Sequence, residues 1–265
     1  MKKFLLLVLT MSLLFSCVTD DVTDDDTGTD PVVVVKKIHK IFVDDVINRE
    51  YLYTGNKLQK VIYYSPDGDV AGYELRQYLS ETQIKQELYI YPIGEGEAVK
   101  NRYYLYDYES DLVVKRTKYN FNEGDETALY KGYALYTNRD NLDYNLVEAK
   151  YYDEDDILTY RFEINYTDDN ASSEAAHYNA AGDFIKNEYW SRDNKIGWMQ
   201  EVSFYPYQHT HNLVDKEIVL ADGSTSDDSY TSIYEYDADN YPTSQTRTYH
   251  DGTVKEYLFV YYPVE

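Results

Sequence analysis

Apolar and polar side chains alternate along many short segments of the chain. In Tyr160–Tyr166 an apolar or aromatic residue occupies every second position, and Arg161, Glu163 and Asn165 lie between them. This period of two is typical of a β-strand with one buried and one polar face. Val254–Tyr262 also alternates, but both of its faces are largely apolar or aromatic, which predicts a strand covered on both sides. No segment has the apolar spacing and capping residues of a helix.

Short polar turns separate these segments. A glycine ends the polar run in Tyr64–Gly68, Tyr119–Gly124, Tyr178–Gly182 and Tyr249–Gly252, and an aspartate takes its place in Tyr152–Asp156. Glycine supplies the positive φ that a hairpin turn needs. We therefore predict an all-β domain, an antiparallel meander of repeated β-hairpins that forms a curved, extended sheet. The pattern leaves open whether this sheet closes into a barrel or a sandwich.

The first residues follow a different pattern. Two lysines precede the apolar run Phe4–Phe15, which is too short to span a bilayer core of ~20 apolar residues and is typical of a secretory signal. The run ends in Leu14-Phe15-Ser16-Cys17, which resembles the lipobox of bacterial lipoproteins. The resemblance implies a signal peptide over residues 1–16 and a lipid on Cys17 that anchors the protein to a membrane. An ordinary signal peptide with an incidental cysteine is the alternative.

An acidic segment follows the anchor, so that residues 17–30 comprise the lipidated cysteine and a tether. Val18 to Asp30 contains six aspartates and few apolar groups, a composition that favours a disordered, extended spacer. Acidic residues after the cysteine resemble the surface-export signals of Bacteroidota lipoproteins. Val18 is not the aspartate associated with inner-membrane retention. These resemblances imply a lipid-anchored protein of the outer membrane, exposed at the cell surface or facing inwards.

Charge and cysteine content exclude several classes of function. The formal net charge is −23, and loss of Lys2 and Lys3 with the signal lowers it to −25. Such a chain repels phosphate backbones, so we expect no nucleic-acid partner. Cys17 is the only cysteine. Once it carries lipid, the exported chain has no thiol for a disulfide, a thiol enzyme or a cysteine-ligated metal.

Tyrosine-rich repeats fill the exported chain, which we interpret as a single domain over residues 31–265. The chain has 33 tyrosines and 8 phenylalanines. Tyr234-Glu235-Tyr236-Asp237, followed by the turn at Asp251-Gly252, resembles a YD repeat of the RHS kind. The same rhythm occurs in Bacteroidota lipoproteins of unknown function built from tyrosine-rich hairpins. The resemblance spans most of the exported chain, although the spacing drifts. It implies an antiparallel meander and transfers no catalytic residue to this chain.

Two groups of side chains are candidate sites. Trp190 and Trp198 flank a polar turn with Tyr189 alongside, and these three residues predict an aromatic ligand platform or a packed hairpin. His209 and His211 lie on one face of a segment and could bind a metal, or they could form a polar strand end. The isolated histidines are expected at the surface: His39, His177 and His250.

These observations favour a protein that is not an enzyme and needs no cofactor. We expect a lipid-anchored envelope protein that serves as a surface binding or adhesion module for a glycan or a protein partner. One alternative is a structural or assembly subunit of the envelope. Another is a hydrolase with a site that is not visible in the sequence. The chain has no Gly-x-Ser-x-Gly, phosphate-loop or HExxH motif, and sequence spacing does not show whether two carboxylates or a histidine-paired nucleophile come together. The pattern does not define the oligomeric state.

Overall fold

The computed structural model describes residues 35–80, 83–93, 97–122, 127–138, 146–167, 172–198 and 211–263. No helix in these ranges is long and apolar enough to cross a membrane. The strands are, in chain order, β1 (Ile38–Val43), β2 (Val46–Thr54), β3 (Lys57–Tyr64), β4 (Val70–Tyr78), β5 (Ile84–Ile93), β6 (Glu97–Glu109), β7 (Leu112–Phe121), β8 (Ala128–Asn138), β9 (Leu146–Tyr152), β10 (Leu158–Tyr166), β11 (Ser172–Asn179), β12 (Phe184–Arg192), β13 (Leu213–Leu220), β14 (Tyr230–Tyr236), β15 (Pro242–Tyr249) and β16 (Val254–Tyr261).

The strands form an antiparallel meander that closes into a barrel. Each strand pairs with the next one along the chain, and β1 pairs with β16 through positions such as Ile41 and Phe259. The prediction of an all-β antiparallel meander is therefore confirmed. The sequence pattern left open how the sheet closes, and the structure shows that it closes into a barrel. Closure gives every strand two neighbours, which removes the outer edges that an open sheet would present.

The turns behave as their residues predict. Gly68 and Gly252 adopt positive φ values of 85° and 86° between strands β3 and β4 and between β15 and β16. In the weaker copy of this turn Asp156 has a φ of 63°, a conformation that aspartate tolerates better than most side chains. Glycine and aspartate thus place the hairpins at the predicted points of the chain.

Two clusters of buried side chains lie inside the barrel. Because a closed barrel has one inner and one outer face, the buried alternate positions of each strand lie inside. One cluster joins strands β5 to β11 and consists of Ile84, Tyr106, Val113, Ala134, Tyr136, Leu146, Ala149, Phe162, Ile164 and Ala175. A second joins β1, β2, β3 and β16 and consists of Ile38, Ile41, Tyr51, Leu58, Val61 and Phe259. Full burial of such a side chain contributes roughly 1.5–3 kcal/mol, so these clusters hold the barrel closed.

The outer face is polar on strands β9 to β13. On β10, Phe162 and Ile164 are buried while Arg161 and Glu163 point outwards, as the alternation predicts. The cross-strand pairs extend this outer face to further charged residues: Glu148, Lys150, Glu174 and Glu217.

The expectation that the last strand, β16, is covered on both sides is wrong. Phe259 of β16 is buried, but Val254 and Leu258 on the opposite face remain 52% and 49% exposed. The strand is therefore covered on its inner face only. Closure into a barrel explains this, because a single layer of sheet has nothing packed against its outside.

Candidate functional site

A groove lies where β10 ends, β11 begins and β12 ends. It has a volume of about 370 Å³ and is lined by Asn165, Tyr166, Thr167, Ser172, Ser173, Glu174, Tyr189, Trp190 and Ser191. Three aromatic rings therefore share the groove with hydroxyl, amide and carboxylate groups.

Strand register places the two faces of β12 on either side of this groove. Trp190 lies opposite Ser173 and packs against the larger core cluster from the inside. Tyr189 lies opposite Glu174 on the outer face and is 36% exposed. The groove thus has an inner aromatic wall packed against the core and an accessible outer one.

Hydrogen bonds fix the outer wall of the groove. The Asn187 side-chain amide donates to Glu174 Oε1 at 2.9 Å and to the Tyr189 hydroxyl at 3.0 Å. Asn187 therefore holds the carboxylate and the phenol at a defined separation. A ring face next to a carboxylate and several hydroxyls is the kind of surface that can stack on a sugar ring and bind its hydroxyl groups.

The structure brings together only part of the aromatic platform expected from sequence. Tyr189 and Trp190 line the same groove. Trp198 instead packs against Phe259 of the second core cluster, with ring centroids 5.6 Å apart. Ligand binding by Tyr189, Trp190 and Trp198 stays a prediction. Only Tyr189 and Trp190 line the groove, so the geometry limits the prediction to these two residues.

Of the two histidines proposed as metal ligands, one can be placed. His209 lies outside the described residues. The His211 ring contacts the Lys195 carbonyl oxygen through Nδ1 at 2.8 Å. The described part of the chain contains no group of three or more potential ligands arranged to hold a metal. Metal binding by this pair also stays a prediction.

A network of buried charges crosses the inner faces of β4 and β5. Arg76 Nε donates to Glu74 Oε1 at 2.5 Å and lies 3.4 Å from Glu87 Oε1. Tyr63 donates to the second oxygen of Glu74 at 3.0 Å, and Tyr106 donates to Glu87. Burial, reinforced by the neighbouring Glu74 carboxylate, raises the pKa of Glu87 to about 7.

This network was missed by sequence reasoning. Alternation in β4 does place Glu74 and Arg76 on one face, but a polar face is ordinarily expected to point outwards. Both glutamates are buried and hydrogen-bonded to neighbouring side chains. Each carboxylate therefore has a side-chain donor inside the barrel.

His177 is a correction to the expectation that isolated histidines lie at the surface. It is buried on the inner face of β11, where its Nδ1 pairs with the Tyr160 hydroxyl and its Nε2 lies 3.7 Å from Glu188. Glu188 also binds Lys186 at 2.5 Å and Lys216 at 3.2 Å. Burial lowers the pKa of His177 to about 4, so the ring is neutral at neutral pH.

The fold and these sites define a closed, sixteen-strand antiparallel β-barrel with a packed, partly charged interior and a small groove at one end. No protein-family model matches the chain. No curated protein matches it either.

Two solved structures to which the chain is similar are porin-like proteins of Bacteroides. One, from Bacteroides vulgatus ATCC 8482, is 14% identical and has a TM-score of 0.41; the match covers 86% of this chain and 100% of that one. The other, from Bacteroides uniformis ATCC 8492, is 13% identical with a TM-score of 0.43, and the match covers 88% and 100% of the two chains.

Proposed function

We propose that the protein is a non-catalytic, lipid-anchored binding module of the outer membrane that holds a glycan in the groove of β10, β11 and β12. The observation that carries this proposal is the lining of the groove. Tyr189 and Trp190 supply ring faces, and Glu174 lies beside them as a fixed hydrogen-bond acceptor. A volume of about 370 Å³ fits a ligand of one or two sugar rings.

The outer wall supports attachment through Cys17 rather than through the barrel. Strands β9 to β13 present charged side chains outwards, among them Lys150, Arg161 and Glu163. An arginine or lysine that faces lipid near the bilayer centre costs about 2–4 kcal/mol. We infer that this wall lies in water and that the lipid is the membrane anchor.

The packed interior supports a binding role over that of a channel. Porins of this strand number leave a water-filled channel, whose lining side chains are exposed to solvent. Here Leu146 and Phe162, on the neighbouring strands β9 and β10, and Tyr51, on the distant strand β2, are all buried on the inside. A groove at the end of the barrel is therefore the better candidate for ligand binding.

A glycan array with the purified protein, followed by calorimetry on each positive glycan, tests the proposal. Tyr189→Ala should weaken binding about tenfold, because ring stacking contributes roughly 1–1.5 kcal/mol. Glu174→Gln should also weaken it. Tyr178→Ala is the matched control, because Tyr178 is a tyrosine of β11 that does not line the groove.

Two outcomes would contradict the assignment. A blank array would count against a glycan ligand. Binding that Tyr189→Ala and Tyr178→Ala reduce equally would place the ligand outside the groove. Trp190 is left intact in these tests, because it packs against the core and its truncation would disturb the fold.

A further inference from the structure

Three cations lie together on the inner face of β6 and β7. Tyr106 of β6 is buried in the larger core cluster, so the alternate residues Tyr104 and Arg102 of the same strand also point inwards. Across the ladder, Tyr106 pairs with Arg116 and Tyr104 pairs with Lys118, which puts both β7 residues on that inner face. Arg102, Arg116 and Lys118 therefore point into the barrel.

The three cations surround one aromatic ring. The Arg116 guanidinium lies 4.5 Å from the ring centroid of Tyr104, and the Arg102 guanidinium lies 6.0 Å from it. Arg102 is also 4.9 Å from the ring of Tyr89, which meets Tyr104 edge-on with centroids 5.8 Å apart. Because an aromatic ring attracts a cation, Tyr89 and Tyr104 hold both guanidinium groups next to Lys118.

The positive charge of this group is only partly balanced. Within the described ranges, no aspartate or glutamate forms an ion pair with Arg102 or Lys118. The buried carboxylates of the neighbouring strands, Glu74 and Glu87, both lie against Arg76 instead. An anion that reached the inner face of β6 and β7 would therefore meet cations that are still available to it.

The cations also crowd one another. Burial lowers the pKa of Lys118, and the positive charges of Arg102 and Arg116 lower it further. Within the part of the chain that the structure describes, the Arg102 Nε atom is buried without a hydrogen-bond partner, and so is Oδ1 of Asn120 opposite it. Unpaired buried polar groups are destabilising. An anion that accepts a hydrogen bond from Arg102 beside Lys118 would relieve both effects.

Solvent reaches the three cations on the inside of the barrel. All three are only partly buried, although they point inwards. Ala134 lies opposite Arg116 on β8, and Gly132 is the next inward position of that strand. Neither residue has a side chain long enough to cover the cations, so this wall of the interior can take a small ligand.

We propose that Arg102, Arg116 and Lys118 form a binding site for a multivalent oxyanion inside the barrel. A guanidinium group binds two oxygens of a phosphate, sulfate or carboxylate at once, and the lysine adds a third positive charge. The chain as a whole has a net charge of −23 and repels anions. A local group of cations is therefore what an anion requires in order to bind this protein.

This site is separate from the groove of β10, β11 and β12. The described lining of that groove contains Glu174 and no lysine or arginine, so it does not favour an anion. The oxyanion site therefore does not depend on the proposed glycan binding. A free inorganic oxyanion and an acidic sugar present the same kind of oxygens, and the experiments below distinguish them.

The first test is titration calorimetry of the full chain in detergent with inorganic pyrophosphate. We expect one pyrophosphate to bind per chain, with an affinity that falls about tenfold between ~50 mM and ~300 mM salt, because salt screens the charges. Absence of pyrophosphate binding at the lower salt concentration would overturn the proposal. An affinity that does not change with salt would overturn it too, because the cations would then not be the contacts.

Matched double variants locate the site. Arg102→Gln with Lys118→Gln should weaken pyrophosphate binding about tenfold or more, because charge-assisted contacts are lost. Lys150→Gln with Arg161→Gln removes the same charge from the outer face and should change the affinity less than about twofold, because screening weakens distant charges. Equal losses in the two double variants would exclude the inner face of β6 and β7.

A stability measurement keeps the test independent of folding defects. The double variant at Arg102 and Lys118 should unfold at the same temperature as the unaltered chain or above it, because it removes charges that repel one another. Pyrophosphate should raise the unfolding temperature of the unaltered chain and leave that of this variant unchanged. An equal rise in both proteins would refute the assignment. Arg102→Lys, which keeps the charge, should retain more of the binding than Arg102→Gln; equal losses would refute a role for charge.

A uronic-acid disaccharide identifies the source of the oxyanion. If it binds more tightly than pyrophosphate and loses affinity in the double variant at Arg102 and Lys118, the ligand is an acidic sugar. If pyrophosphate binds more tightly, the ligand is a phosphate. Tyr189→Ala should leave the binding of both probes unchanged. A loss of both in Tyr189→Ala would place the anion in the groove and overturn the proposal.

Discussion

Two buried side chains, Glu87 and His177, should change the stability of the barrel with pH in opposite directions. Burial and the Glu74 carboxylate raise the pKa of Glu87 from 4.5 to about 7. Burial lowers the pKa of His177 from 6.5 to about 4. Over the shared window from pH 4.5 to 6.5, the folded chain holds a proton on Glu87 that the unfolded chain releases, and it lacks a proton on His177 that the unfolded chain binds.

The sign of each effect follows from this proton balance. A raised pKa in the folded state stabilises at low pH, and the stabilisation is lost as the pH rises towards the folded pKa. The Glu87 contribution to the free energy of unfolding therefore falls from pH 4.5 to 7. The His177 contribution rises from pH 4 to 6.5. Each pKa unit corresponds to about 1.4 kcal/mol, so each group contributes up to about 3 kcal/mol across the shared window.

The Glu87 and His177 contributions to the free energy of unfolding have opposite pH dependences and largely cancel in the unaltered chain. Variants that remove only one of the two groups therefore reveal the contribution of each. Relative to the unaltered chain, Glu87→Gln should gain up to about 3 kcal/mol of unfolding free energy as the pH rises from 4.5 to 6.5. His177→Gln should lose a similar amount over the same interval. Urea unfolding followed by tryptophan fluorescence at several pH values measures both differences. Glu163→Gln, on the outer face of β10, is the matched control for the glutamate substitution.

The reasoning would be refuted if the stability difference between Glu87→Gln and the unaltered chain stayed constant with pH. It would also be refuted if both variants shifted in the same direction. Either result would mean that these side chains are not held in the buried environments that set their pKa values. A constant offset alone would report only the lost hydrogen bond to Tyr106.

Three further predictions concern packing and attachment. Gly132→Ala should destabilise the barrel by more than about 2 kcal/mol in thermal unfolding, because Gly132 has a φ of 101° and a Cβ there would collide with the Tyr152 carbonyl oxygen. Gly68→Ala, with a positive φ but open space around it, should cost only about 1 kcal/mol in the same assay. Leu146→Ala should cost about 2–5 kcal/mol in urea unfolding, since Leu146 is fully buried. Cys17→Ala should move the protein out of the membrane fraction and abolish lipid labelling; retention of both would contradict lipidation at this residue.

Alternation and turn chemistry were sufficient to predict the all-β meander. The strand Tyr160–Tyr166 has its apolar side buried and Glu163 outside, as its sequence indicates. The turns at Gly68 and Gly252 adopt the conformation for which glycine is needed. Both signals are local, so they can be recognised without knowing which strands are neighbours.

The inner and outer faces of β4 could not be assigned in the same way. Glu74 and Arg76 point inwards, whereas Tyr73 and Leu75 point outwards. Periodicity defines two faces but does not say which one a barrel encloses. The inner face became identifiable only when closure brought Glu87 next to Arg76.

The candidate sites depend on the same non-local information. His177 is isolated in the sequence, and its buried environment arises because β10 and β12 bring Tyr160 and Glu188 to it. The groove of β10, β11 and β12 was anticipated in part, because Tyr189 and Trp190 are adjacent in the chain. Glu174 joins them only through the pairing of β11 with β12.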